Sequence, residues 1–143
     1  MKKNETVSAI MTEEVMTVQV KDDLQTARNL MVKNKIRHVP VFQGKKLVGI
    51  ISRTDIDRLS FSTLFTDEGE EEGDEAAVDM LTIAQVMTHK PRVVTRAATI
   101  REVAQILTQE EFHALPVVDE KDASKLAGIV TTTDVIRYLL TQL

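Results

Sequence analysis

The sequence predicts a mixed α/β (α+β) protein made of two β-α-β-β-α repeats packed sheet to sheet with pseudo-two-fold symmetry. Three observations lead there. The chain registers on itself at a nearly fixed offset, each copy alternates short β runs with helically spaced apolar residues, and a dense acidic run separates the copies.

At an offset of 76, Ile10-Met11-Thr12 falls on Val86-Met87-Thr88, Leu24 on Ile100, Ile36 on Phe112 and Val39-Pro40-Val41 on Leu115-Pro116-Val117. Three extra residues then enter the second copy between Asp119 and Lys125. From there the offset is 79, so that Leu47-Val48-Gly49-Ile50-Ile51-Ser52 matches Leu126-Ala127-Gly128-Ile129-Val130-Thr131, Thr54-Asp55 matches Thr133-Asp134, and Arg58 matches Arg137. A hairpin tip is where a structural repeat tolerates such an insertion.

Each copy opens with a helical lead-in, Val7–Met11 or Ile83–Met87, followed by a short strand near Met16–Val20 or Arg92–Thr95. A helix follows, with Leu24, Ala27, Leu30 and Met31, or Ile100, Val103, Ala104 and Leu107, on its inner face. Asp22 and Asp23 mark the first helix start, and Thr99 with Glu102 three residues on forms a capping box at the second. The β runs are His38–Phe42 and Lys46–Ser52 around a Gln43-Gly44 turn, then Ala114–Asp119 and Lys125–Thr131. A last helix carries Ile56 and Leu59, or Val135, Ile136, Leu139 and Leu140. The expected domains are 1–60 and 83–143, with 61–82 as connector. A unit of about 55 residues buries too little surface to stand alone, and two packed sheet to sheet would share one core. The apolar residues left on the outward helices lead us to expect a homodimer.

Composition narrows the function. Cysteine is absent, which removes disulfides, thiolate catalysis and cysteine-rich zinc sites. The N-terminus carries no signal-peptide pattern, and no apolar run approaches the roughly 20 residues of a membrane span, so a soluble, cytoplasmic protein without a membrane partner is expected. The net charge of −4 is unevenly spread: eight of the 22 acids lie between Asp67 and Asp79, and no Lys or Arg occurs from Leu59 to His89. Residues 1–60 carry 11 basic and 7 acidic side chains. That excess is too mild for a duplex nucleic-acid partner and suits a ligand with a few phosphates.

The acidic connector repels itself and buries nothing, so a solvated linker is expected. A calcium loop counted from Asp67 fails, because its third position is Gly69 and its sixth Glu72. Phe61, Leu64, Phe65, Val78, Met80 and Leu81 flank the connector and are expected to dock on the core.

The strongest motif is Gly49-Ile50-Ile51-Ser52-Arg53-Thr54-Asp55 with its echo Gly128-Ile129-Val130-Thr131-Thr132-Thr133-Asp134. Together with the Met-Thr segments and the Val/Leu-Pro-Val strands, it resembles a tandem pair of CBS domains, the Bateman module. The resemblance covers nearly the whole chain apart from the connector, and its specificity lies in the order and duplication of the pieces. It implies a stand-alone, non-catalytic regulatory module. Such a module binds an adenosine-containing ligand (AMP, ADP or ATP foremost, S-adenosylmethionine or NAD otherwise) in clefts between the two domains and regulates a partner protein not identifiable from the sequence. No cofactor is required; a nucleotide ligand would come with or without Mg. The alternative is a constitutive interaction and dimerisation module with vestigial sites.

At the matched positions the resemblance places Asp55 and Asp134 on the ribose hydroxyls, with Ser52 and Thr131 three residues earlier facing the same opening. The first-turn N–H groups of the following helices, around Thr54 and Thr133, favour a phosphate. Ser/Thr-x-x-Asp is equally a helix-capping pattern, and both readings stand at this point. Arg37-His38 and His113, two and three residues before each proline, point towards phosphates in the family; Arg37 offers a fork of donors. Ala114 replaces a polar residue in the second copy, and Arg53 faces Thr132 in the comparison, so two unequal sites are expected. Thr12 and Thr88 would lie near the adenine or simply end the lead-in helices. Val18, Val41 and Ile51, with Val94, Val117 and Val130, would line a slot for the base or form core. Enzyme readings find no support: no phosphate-loop, dinucleotide or nucleophile-elbow motif is present, and His38, His89 and His113 lack the spacing of a helical metal pair.

Overall fold

A computed structural model describes residues 4–66 and 81–143, with side-chain environments given for residues 4–59 and 81–143. The acidic stretch 67–79 and the docking expected of Phe61, Leu64, Phe65, Val78 and Met80 lie outside this description. The chain is mixed α+β with two sheets. One sheet has the order β1-β2-β3-β4: β1 (Val18–Gln19), β2 (His38–Gln43), β3 (Lys46–Ser52) and β4 (Thr88–His89). The other has the order β5-β6-β7: β5 (Val94–Thr95), β6 (Ala114–Val118) and β7 (Leu126–Thr131). The helices are α1 (Leu24–Asn34), α2 (Arg53–Thr66), α3 (Ile83–Val86), α4 (Ile100–Gln109) and α5 (Thr132–Gln142).

In each sheet a short strand runs parallel to the next across a helix, and a hairpin follows. Val18 pairs with Val41 and Val94 with Val117, one sequence offset apart. Both hairpins slip register at matching places, between Val41 and Phe42 and between Val117 and Val118. The β2–β3 loop is Gly44-Lys45, with Gly44 at φ 63°, a conformation glycine adopts without steric cost. The Gln19 side chain closes on this loop: Gly44 N–H donates to Oε1 at 2.9 Å and Nε2 donates to the Gly44 carbonyl at 3.2 Å.

The helix starts are built as their sequences specify. Asp23 caps α1, its Oδ1 accepting from the Thr26 N–H at 2.8 Å and the Thr26 hydroxyl at 2.6 Å. These hydrogen bonds, led by the one from the hydroxyl, hold the Asp23 carboxyl below its ordinary range. Asp22 instead accepts from the Gln19 N–H at 2.9 Å. Thr99 and Glu102 form the reciprocal box that opens α4. At the other end of α1, Lys35 takes the left-handed conformation, φ 54°, where its N–H reaches the carbonyls of Met31 and Val32.

The compact units cut across the order of the repeats. One unit is Met16–Lys90; the other joins the residues up to Val15 with Pro91–Leu143. Each lead-in therefore packs in the unit built from the other copy's strands. In the 16–90 unit, Ile83 and Met87 are buried with Val18, Leu24, Ala27, Met31, Val39, Val41, Ile51 and Ile56. In the 91–143 unit, Val7 and Met11 are buried with Val94, Val103, Leu115, Val117, Val130 and Val135. Within each unit the buried cluster is completed by two side chains from the opposite repeat. Burying such a side chain contributes on the order of 2 kcal/mol, which offsets the entropy of ordering the segment that carries it.

Main-chain bonds fix the lead-ins. Thr12 N–H donates to the Ile129 carbonyl at 2.9 Å, and Ile129 N–H returns a bond to Thr12 at 3.0 Å. Thr88 pairs with Ile50 and His89 with Gly49 on the edge of β3. Further upstream, Val7 N–H donates to the Ala98 carbonyl at 2.8 Å and Ile100 N–H to that of Glu5 at 2.9 Å. The lead-ins themselves are shorter helices than the sequence pattern suggests, a 3-10 turn at Val7–Ala9 and α3 at Ile83–Val86.

Gly49 and Gly128 make this approach possible. A Cβ on Gly128 would meet the Thr12 carbonyl oxygen at 2.6 Å and Met11 Sδ at 2.8 Å. One on Gly49 would meet the Thr88 carbonyl oxygen at 2.9 Å and would collide with Met87 Sδ. Gly128→Ala and Gly49→Ala are each expected to destabilise the chain by about 1–3 kcal/mol in urea unfolding. They should also speed amide exchange at Thr12 or Ile50, respectively; unchanged stability and exchange would contradict the docking.

A side-chain bond reinforces the N-terminal segment: the Tyr138 hydroxyl donates to Glu5 Oε2 at 2.6 Å. This hydrogen bond, with desolvation and the charge of Glu5, raises the tyrosine pKa above its ordinary 10.0. The neutral phenol is the favoured form, so its contribution to stability is present below pH 10 and lost as the pH rises through the folded-state value. The chain has one tyrosine and no tryptophan, so ultraviolet titration reads this group alone. A midpoint above 10 is expected, returning towards 10 in Glu5→Gln; a wild-type midpoint at or below 10 would remove the contact.

Candidate functional site

Each unit presents one junction at which the second strand of the hairpin passes into the helix that follows it, β3 into α2 and β7 into α5. In the 16–90 unit, the Ser52 N–H donates to Asp55 Oδ2 at 3.0 Å while the Asp55 N–H donates to Ser52 Oγ at 3.0 Å. In the other unit, the Thr131 N–H donates to Asp134 Oδ2 at 2.9 Å and the Asp134 N–H to Thr131 Oγ1 at 3.1 Å. Both Ser/Thr-x-x-Asp motifs are therefore reciprocal capping boxes. The cap uses Oδ2 of each carboxylate for a single hydrogen bond, which leaves acceptor capacity on both oxygens.

The Asp55 and Asp134 side chains are 23% and 12% exposed, held at the rim rather than in the core. Each Oδ1 has an arginine one turn on: Arg58 at 4.0 Å from Asp55 and Arg137 at 3.6 Å from Asp134. These arginines are 75% and 71% exposed, and exposed pairs of this kind contribute little to stability.

The segment before each proline is tied to the same junction. Arg53 N–H donates to the Arg37 carbonyl at 2.8 Å, and His38 pairs with Ser52 across the ladder. In the 91–143 unit, Thr132 N–H donates to the His113 carbonyl at 2.9 Å, its hydroxyl lies at 3.4 Å from the same oxygen, and Ala114 pairs with Thr131. The structure thus gathers Arg37, His38, Ser52, Arg53, Thr54 and Asp55 at one junction, and His113, Thr131, Thr132, Thr133 and Asp134 at the other. Arg37 and His113 are exposed, and Arg53 lies 4.0 Å from Asp57 one turn along α2.

Thr12 and Thr88 do not cap helices. They are strand-like residues paired beside Ile129 and Ile50, and both side chains are exposed. The pairing is crossed: Thr12 belongs with the strand that leads to Asp134, and Thr88 with the strand that leads to Asp55. Sequence comparison, which aligned Thr12 with the Asp55 copy, misses this. The signal present was a glycine inside each strand pattern, a mark of close backbone approach. Val18, Val41, Ile51, Val94, Val117 and Val130 are all buried within the clusters and serve as core.

Among the described residues no group of three or more His, Asp or Glu side chains is placed to hold a metal ion. Nor is any helix of the described chain long and apolar enough to cross a membrane. Removing either box hydroxyl, by Ser52→Ala or Thr131→Ala, is expected to cost about 1 kcal/mol of unfolding free energy. Urea titration checks this, and no loss in either variant would mean the boxes do not cap in solution.

Two sheets, each with a parallel strand, a crossover helix and a hairpin leading to a boxed carboxylate, define a duplicated α+β module. The CBS domain model matches residues 7–62 and 83–141, and the chain belongs to that family as a tandem pair. Inosine-5'-monophosphate dehydrogenase of Korarchaeum cryptofilum is 33% identical over 122 residues, 85% of this chain and 22% of that protein. CBSX2, a CBS-pair protein from Arabidopsis thaliana, has a solved structure 29% identical with a TM-score of 0.78, covering 97% of this chain and 96% of that one. A structure of CBSX2 in complex with AMP is 28% identical with a TM-score of 0.75, covering 96% and 98%. Protein MJ1225 from Methanocaldococcus jannaschii is 26% identical with a TM-score of 0.78, covering 97% of this chain and 49% of that one. The chain spans 22% and 47% of the length of the first curated relatives it matches.

Proposed function

We propose that this CBS pair is a regulatory module without catalytic activity that binds an adenosine-containing ligand, AMP, ADP or ATP foremost, and S-adenosylmethionine or NAD as alternatives. The observation that carries the reading is the boxed aspartate on each unit, in a family one of whose members, CBSX2, has been crystallised with AMP. The box fixes the carboxylate through Oδ2 and keeps it at the surface with acceptor capacity to spare. That is what two vicinal ribose hydroxyls require of a single side chain.

The remaining ligand parts follow from the surrounding residues. At the Asp55 junction, Arg37, His38, Arg53 and the start of α2 supply donors for phosphates. Arg58 and Arg137 stand beside Asp55 and Asp134 alike; beyond them the Asp134 junction has His113 with Thr132 and Thr133 as neutral donors, against Arg37, His38 and Arg53, so the first site is the stronger for phosphorylated ligands. Thr88 and Thr12, the neighbours of Asp55 and Asp134 by crossed pairing, stand nearest the adenine. Mg, where it accompanies ATP, is carried by the phosphates. Regulation follows if the ligand prefers one of two arrangements of the chain, because a ligand shifts an equilibrium only by its difference in affinity.

Thermal-shift titration with AMP, ADP, ATP, S-adenosylmethionine and NAD at millimolar concentration tests the reading, since a ligand well above its dissociation constant raises the melting temperature. At least one is expected to do so. Asp55→Asn and Asp134→Asn, which keep the side-chain oxygen of the cap, should each weaken binding about tenfold or more. No shift with any of the five would favour a constitutive interaction module with vestigial sites. A shift unaffected by both variants would move the ligand off the aspartates.

A further inference from the structure

The first copy of the repeat carries positive charge that the fold does not require. From Leu24 to Thr54 there are seven Lys and Arg side chains and no Asp or Glu. The matching stretch of the second copy, Ile100 to Thr133, mounts three basic and six acidic side chains on the same helix and hairpin. Cations such as Lys33 and Lys35 at a helix C-terminus are favoured by the helix dipole. The equivalent end of α4 has Gln109 and Glu111, so the architecture is built without them.

These charges are also unmatched. Arg53 has Asp57 at 4.0 Å. Arg28, Lys33, Lys35, Arg37, Lys45 and Lys46 form no ion pair among the described residues. Five of these six are exposed, and Arg28 is half-buried. Arg37 alone of the six is offered to the ligand proposed above.

The six are arranged along α1. Lys33, Lys35 and Arg37 surround its C-terminal end, where the N–H groups of Lys35 and Ile36 bond back to the last turn before the chain enters β2. Lys45 and Lys46 stand at the hairpin tip, which the Gln19 side chain ties through Gly44 to the segment entering α1. Asp22 and Asp23, the acids nearest that end, are already engaged by the Gln19 N–H and by Thr26. The 11-residue helix between the clusters is about 16 Å long, a distance that about five extended residues span.

We infer that this face docks an acidic peptide segment of a partner protein. Unpaired cations at both ends of α1 complement a run of carboxylates, and opposite charge steers and orients such an encounter. A single-stranded nucleic acid would want aromatic platforms for its bases; the one aromatic residue of the stretch, Phe42, is half-buried. A lipid surface would want an apolar face beside the charge; α1 spends Leu24, Ala27 and Met31 on the core and exposes only Val32. The inference does not rest on the ligand.

Fluorescence anisotropy of a labelled glutamate decapeptide, titrated with the full chain at low salt, tests this. Binding is expected, and it should weaken as salt is raised. Lys33→Glu combined with Lys46→Glu should weaken it about tenfold or more. Lys121→Glu combined with Lys125→Glu makes the same change of net charge on the second copy and should leave it within about twofold. Should the first pair of charge reversals fail to fold, Lys33→Gln with Lys46→Gln should weaken binding in the same direction. Equal loss in the two double variants would reduce the effect to net charge and overturn the assignment. Tighter binding of a single-stranded oligonucleotide of equal charge would overturn it in favour of nucleic acid. No binding to the intact chain, with binding appearing once the acids from Asp67 to Asp79 are replaced by their amides, would make the chain's own acidic run the occupant and overturn it as well.

Discussion

Each hairpin ends on a main-chain pairing with a segment that the sequence places in the other repeat. Thr12 exchanges two hydrogen bonds with Ile129, and Thr88 with His89 lies along Ile50 and Gly49. Much else follows from that pairing. It carries Val7 and Met11 into one cluster and Ile83 and Met87 into the other, so each core is completed from the opposite end of the chain. It demands glycine at positions 49 and 128, because a Cβ at either would enter the carbonyl oxygen of the arriving strand. Duplication alone would give two units, each short of apolar surface; exchange makes each copy necessary to the other.

The same geometry shapes the candidate site. The strand that receives the lead-in is the strand that ends in the Ser/Thr–Asp box, so the box and the arriving threonine are fixed by one hydrogen-bonded ladder. The backbone bonds from Arg53 to Arg37 and from Thr132 to His113 add the segment before the proline to the same junction. The cap orients the carboxylate and does not consume it, so the structural and binding readings of the motif are compatible. The junctions differ in the side chains mounted on a shared frame, with Arg37, His38, Arg53 and Arg58 at one and His113 and Arg137 at the other. Chemical asymmetry on symmetric scaffolding is what a sensor needs to distinguish ligands or to treat the same ligand unequally.

Most of the fold could be read from the residues because the relevant signals are local. The offset of 76, the helical spacing of Leu24, Ala27 and Met31, the Thr99–Glu102 box and the Gly44 turn each need only a few neighbouring positions. The residues of each junction were also legible, since Ser52-x-x-Asp55 and Thr131-x-x-Asp134 are contiguous. The exchange was not. Repeat alignment assigns Thr12 to its own copy, and nothing local says which strand a lead-in will join, because that choice is made by long-range burial of Val7, Met11, Ile83 and Met87. Strand lengths were overestimated for a related reason. Met16–Val20 and Arg92–Thr95 carry β-type residues, yet only Val18–Gln19 and Val94–Thr95 have a partner strand to pair with.

In the function proposed above, each adenosyl site combines a boxed aspartate of one repeat with the lead-in threonine of the other. Backbone amide chemical shifts, followed by NMR as AMP is added, test it most directly. Perturbations are expected to appear together at Ser52–Asp55 and Thr88, at Thr131–Asp134 and Thr12, or at both sets. Perturbation that paired Thr12 with Asp55 while leaving Asp134 and Thr88 unmoved, or that avoided both boxes, would contradict it.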